Sequence, residues 1–68
     1  MDTIELSPDA VTIRLSEPEL VTLANAINEA LEAVEDWEFQ TRIGATRDEA
    51  IGLQKQIILI LDSMKPAR

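Results

Sequence analysis

The 68-residue chain contains no cysteine, no histidine and no tyrosine. Without cysteine it can form no disulfide, and without cysteine or histidine it lacks the sulfur and nitrogen ligands that zinc prefers. The same absences remove the commonest general bases and nucleophiles of enzymes. Only two glycines, Gly44 and Gly52, are present, so there is no glycine-rich phosphate-binding loop. We therefore predict that the protein is not an enzyme and has no cofactor and no metal site.

Long hydrophobic runs are also missing. The longest, IILIL at 57–61, is far shorter than the ~20 residues that a membrane-spanning helix needs. The opening MDTIEL has neither the basic region nor the apolar segment of a signal peptide. We expect a cytoplasmic protein that does not bind membranes, with one small domain over 1–68 and a flexible tail at 65–68.

Basic residues are absent from 17–38, although this segment carries seven of the 13 acids. The rest of the chain holds six acids and all six bases, so the net charge of −7 arises from this one segment. Such a surface repels nucleic-acid phosphates and attracts basic proteins. The simpler interpretation is a solvated helix face.

Residues 2–15 have the alternating pattern of a β-hairpin. Ile4 and Leu6 precede an SPDA turn at 7–10, and Val11 and Ile13 follow it. A four-residue loop would pair Leu6 with Val11 and Ile4 with Ile13 on one apolar face.

Two amphipathic helices are predicted after the hairpin, at about 17–38 and 47–64. Each begins with a capping box, Ser16 to Glu19 and Thr46 to Glu49. The fold class is therefore α+β, with the two antiparallel helices packed on one face of the hairpin. A domain this small buries little surface, and we expect dimerisation to complete it.

The second helix has more apolar residues than one helix face can bury. Ile51, Ile58 and Leu59 lie away from its main stripe, as the 100° rotation per residue shows. Because a wide apolar patch on a small protein indicates an interface, these three residues are the predicted homodimer surface.

The segment 35–50, EDWEFQTRIGATRDEA, joins the two helices and holds the only tryptophan and the only phenylalanine. Trp37 and Phe39 either close one end of the core or form an exposed binding patch with Arg42. The turn at 43–50 also has the order of a helix-turn-helix corner, but Asp48 and Glu49 would oppose docking on DNA.

Residues 20–53 resemble a group of small uncharacterised bacterial proteins in which an "ALNE" helix precedes "EFxTRxG" and a Ser/Thr-x-x-Glu helix start. The resemblance implies kinship and supplies no mechanism. The matching positions are Asn28, Glu29, Phe39, Thr41, Arg42 and Gly44.

The sequence thus favours a non-catalytic, acidic protein-interaction module that binds a basic partner, one version being an inhibitor or immunity-type protein. The alternative is a small DNA-associated regulator that uses the corner at 43–50, although nucleic acid is the less favoured partner. The predicted partner-binding residues are Glu29, Glu32, Asp36, Trp37 and Arg42.

Overall fold

A computed structural model describes residues 1–65 of the chain as a β-hairpin followed by three helices. The hairpin contains β1 (Asp2–Leu6) and β2 (Val11–Arg14), and the helices are α1 (Glu17–Ala33), α2 (Asp36–Ile43) and α3 (Arg47–Ser63). The α+β class with an N-terminal hairpin is confirmed. Of the predicted tail at 65–68, only Lys65 falls within the described residues.

The hairpin has the predicted turn and half of the predicted register. The Ser7 hydroxyl donates to the Ala10 carbonyl at 3.0 Å, and Leu6 pairs with Val11. A bulge between Thr3 and Glu5 then makes Thr3, and not Ile4, the partner of Ile13. A bulge adds one residue to one strand, and this shifted Ile4 out of the expected pair.

Both capping boxes form as predicted. The Ser16 backbone N–H donates to the Glu19 carboxylate, and the Glu19 backbone N–H donates to the Ser16 hydroxyl. Thr46 and Glu49 form the same two bonds at the start of α3. These reciprocal bonds satisfy backbone N–H groups that the first helical turn leaves without partners. The starts of α1 and α3 therefore follow from the local sequence.

The predicted helix at 17–38 is two helices, because the chain leaves the helical conformation at Val34 and Glu35. Both residues have extended backbone angles, with ψ of 128° and 150°. A single helix would have continued its apolar stripe through Trp37, but the break rotates the next residues. Phe39 instead enters the core at 2% exposure.

The core lies between α1 and α3, which run antiparallel. Leu20 and Ala24 of α1 pack with Ile57 of α3, and Leu15, Ile27 and Leu61 surround them. The Gln54 side-chain amide donates to the Ala24 carbonyl at 3.3 Å and ties the helices together. Few side chains are buried, so the pair forms a thin layer.

The hairpin does not lie under this helix pair, contrary to the expectation from the sequence. Every residue of both strands is exposed. The chain measures 41 × 37 × 16 Å and has a radius of gyration of 13.9 Å, whereas a compact domain of this length has about 11 Å. The fold is flat and open, and much apolar surface stays uncovered.

Candidate partner-binding surface

Arg47 organises the corner between the helices. Its guanidinium donates to the Leu31 carbonyl at 2.6 Å, to the Val34 carbonyl at 2.7 Å and to Asp36 Oδ1 at 2.6 Å. The same group lies 4.6 Å from the centroid of the Phe39 ring, in cation–π geometry. One side chain of α3 therefore holds the end of α1, the start of α2 and the buried aromatic ring.

Arg47 donates to carbonyls that the break at 34–35 leaves without helical partners. A cation in the first turn of α3 lies at the positive end of its own helix dipole, which is unfavourable. The C-terminal turn of α1 has no base of its own, however, and its carbonyls are free to accept. Arg47 supplies that missing cation from across the fold.

The two aromatic residues of the corner point in opposite directions. Phe39 is buried, as expected if it closes one end of the core, whereas Trp37 is 82% exposed. The prediction that these residues close one end of the core is therefore correct for Phe39 and wrong for Trp37. An exposed tryptophan on a rigid corner has the composition of a binding hot spot.

The acidic residues predicted to bind a partner lie on exposed positions of α1 and α2. Asp36 pairs with Arg47, and the Arg42 side chain, 62% exposed, pairs with Glu38 at 3.1 Å. No ion pair within residues 1–65 includes Glu29 or Glu32. The bases of the corner thus neutralise the start of α2 and leave Glu29 and Glu32 of α1 without an ion-pair partner within residues 1–65.

A second surface, which the sequence did not predict, is an apolar groove of about 520 Å³ between α1, α2 and α3. The charged residue at its border is Glu49, whose carboxylate accepts the Thr46 backbone N–H in the capping box. That bond, followed by the bond from the Thr46 hydroxyl, lowers the pKa of Glu49. The groove is lined by Leu23, Ala26, Ile27, Ala30, Phe39, Ile43, Ala45, Glu49, Ala50 and Leu53.

The predicted homodimer residues are not part of this groove. Ile51 is half-buried, and Ile58 lines a depression of about 280 Å³ with Val21 and Leu61, on the other side of the helix pair. Leu59 is 65% exposed. The rim of that depression is charged, with Glu17, Asp62 and Lys65.

Two features of the site had little signal in the sequence. Arg47 follows an N-cap directly and resembles an ordinary surface residue, and only the acidic end of α1 nearby hinted at its role. The groove depends on the break at 34–35, because the break places α2 across one end of the helix pair. Counting apolar residues on α1 alone would not have revealed it.

Within residues 1–65, no group of three or more acidic side chains could hold a metal ion. No helix in this part of the chain is long and apolar enough to cross a membrane. No protein-family model, no curated protein and no solved structure matches the chain.

Proposed function

We propose that the chain is a non-catalytic interaction module of the cytoplasm, in which the acidic face of residues 17–38 binds a basic protein. The observation that carries this proposal is Trp37, which is 82% exposed at the start of α2, next to the helix end that Arg47 holds by hydrogen bonds. Aromatic anchors on rigid supports lose little conformational entropy when they bind. One version of the proposal is an inhibitor or immunity-type protein that covers the basic surface of a nuclease or toxin.

The contact surface in this proposal contains Glu29, Glu32, Asp36, Trp37 and Arg42. The uncompensated acids of α1 would steer a basic partner, and Trp37 would supply apolar contact area. Arg42, which is paired with Glu38, would lie at the edge of the contact. Self-association of the chain is a further part of the proposal.

A DNA-associated regulator remains the alternative, since α2, the turn at Gly44 and α3 have helix-turn-helix order. The two bases of this corner give it little support. Arg47 is engaged with Leu31, Val34 and Asp36, and Arg42 with Glu38. The first turn of α3 presents Asp48 and Glu49, which phosphates would repel.

Affinity capture with charge-reversed baits tests the proposal. Glu29→Lys with Glu32→Lys changes the net charge from −7 to −3, and the control, Glu5→Lys with Asp9→Lys in the hairpin, makes the same change elsewhere. We expect basic proteins to be retained by the wild type and the hairpin control, lost from the α1 variant, and released by salt. Trp37→Ala should weaken the same binding by about tenfold or more.

Two outcomes would overturn the proposal. One is equal capture by the two charge-reversed baits, since binding would then not depend on the acidic face of α1. The other is binding of duplex DNA to the wild type at low ionic strength, which would favour the regulator. Circular dichroism of each bait would show that the helices are retained.

A further inference from the structure

The apolar groove leaves large hydrophobic side chains open to solvent. Leu23 and Leu53 lie on its walls and Ile43 at its end, and all three are more than one-third exposed. Ala26 and Ala30 form the α1 side, where their small side chains would let another helix approach closely. Water in such a groove contacts almost only apolar side chains.

The amount of uncovered surface indicates an occupant of protein size. The chain exposes 5632 Å², whereas a compact monomer of 7.6 kDa exposes about 4300 Å². The excess of about 1300 Å² is larger than the ~800 Å² that each partner buries in a stable protein interface. Part of this excess lies on the hairpin, whose strand residues are all exposed.

Charge selects among the possible occupants. The groove offers a basic partner little charge to pair with, because its bordering acid, Glu49, is already bonded to Thr46. Two copies of this chain, each with a net charge of −7, repel each other wherever their acidic faces meet. They can approach most closely with their groove faces, which carry the least charge.

We propose that the groove is covered by a second copy of this chain, groove face against groove face, in a symmetric homodimer. In such a twofold interface the same residues meet from both sides, so Leu23 and Leu53 of each copy fill the groove of the other. The two α1–α3 pairs then form a four-helix layer with a shared apolar centre. This arrangement leaves the acidic corner and Trp37 open, and it does not rest on the proposed basic partner.

The test compares two substitutions on α3. Leu53→Glu places a charge on the groove wall, and Leu59→Glu places the same charge on the dimer surface predicted from the sequence. In the wild type Leu53 is 52% exposed and Leu59 is 65% exposed. We expect the wild type to sediment at about twice 7.6 kDa at micromolar concentration. Leu53→Glu should raise the dissociation constant by about 100-fold or more, because it would bury an unpaired charge. Leu59→Glu should change it by less than about threefold.

If Leu53→Glu fails to fold, single-cysteine variants test whether the groove is covered by a second copy. The chain has no cysteine, and Ala26 and Ala33 are both exposed on α1, but only Ala26 lines the groove. We expect the thiol of Ala26→Cys to react with maleimide more slowly as protein concentration rises, while the thiol of Ala33→Cys reacts at a constant rate.

Three results would overturn the proposal: a monomeric wild type at high micromolar concentration, dissociation by Leu59→Glu but not by Leu53→Glu, or a reaction rate of Ala26→Cys that does not change with protein concentration. Salt separates this inference from the proposed function. Screening weakens the repulsion between two acidic copies and should strengthen the dimer, whereas it should weaken binding of a basic partner.

Discussion

Arg47 donates to both helices at the corner, although it is not among the five residues predicted to bind a basic partner. Three carbonyl or carboxylate oxygens accept from its guanidinium, and its side chain is only 31% exposed. Its loss would leave the last carbonyls of α1 without a donor in a half-buried position. The cost of such unmade bonds exceeds the gain from an ordinary surface pair.

Arg47→Gln is therefore expected to lower the free energy of unfolding by about 2 kcal/mol, the scale of a hydrogen bond to a charged group. Arg42→Gln is the matched control, because Arg42 forms a single exposed pair with Glu38 and should contribute less than about 0.5 kcal/mol. Urea denaturation at one protein concentration measures both. Equal losses in the two variants would contradict the role given to Arg47.

At the scale of secondary-structure elements, the two glycines have opposite effects on stability. Gly44 ends α2 with a φ of 88°, and its N–H donates to the Gln40 carbonyl at 2.9 Å. Gly52 lies inside α3 with ordinary helical geometry. A Cβ at either position would meet no atom within 4 Å, so backbone conformation alone decides the outcome.

Gly44→Ala should lower the free energy of unfolding by about 1 kcal/mol, because side chains disfavour the left-handed region. Gly52→Ala should raise it by about 0.5 to 1 kcal/mol, because glycine lowers helix stability. Thermal melts followed by circular dichroism would compare the two. A stabilising Gly44→Ala would mean that the turn can adopt another conformation.

Local signals in the sequence were sufficient for the hairpin turn and the starts of α1 and α3. Ser16 with Glu19, and Thr46 with Glu49, interact within four residues, so their chemistry can be read directly. The end of α1 was different. The carbonyl of Val34 at this break accepts from Arg47, which is 13 residues further along the chain, and no local pattern encodes such a contact.

The two candidate surfaces were predictable to a similar extent. Exposed acids on α1 follow from helical periodicity, because the apolar stripe fixes the opposite face. The direction of Trp37 and Phe39 did not follow, since it depends on the rotation that the break introduces. The groove likewise exists only once α2 lies across the α1–α3 pair.

For the molecule as a whole, one ion pair joins the hairpin end of the chain to the helices. The Met1 ammonium group contacts Glu19 at 2.7 Å, while the other oxygen of this carboxylate accepts the Ser16 N–H. The bond from the ammonium group, then those from the Ser16 backbone and hydroxyl, lower the pKa of Glu19 from 4.5 to about 2. Glu19 thus contacts both the residue before β1 and the N-cap of α1, and its lowered pKa makes these contacts sensitive to acid.

The lowered pKa of Glu19 sets a window of acid sensitivity. The folded state binds this proton less readily than the unfolded state, so the contribution of Glu19 is complete above pH 4.5 and is lost as the pH falls towards about 2. Glu19→Gln lacks this titrating carboxyl group. The difference in unfolding free energy between the wild type and Glu19→Gln should therefore shrink as the pH falls from 4.5 to about 2. Glu17→Gln, in the same turn but without a side-chain hydrogen bond within residues 1–65, controls for the lost charge. Urea titrations at several pH values would measure both differences, and a Glu19→Gln difference that stays constant from pH 5 to pH 2 would contradict this role.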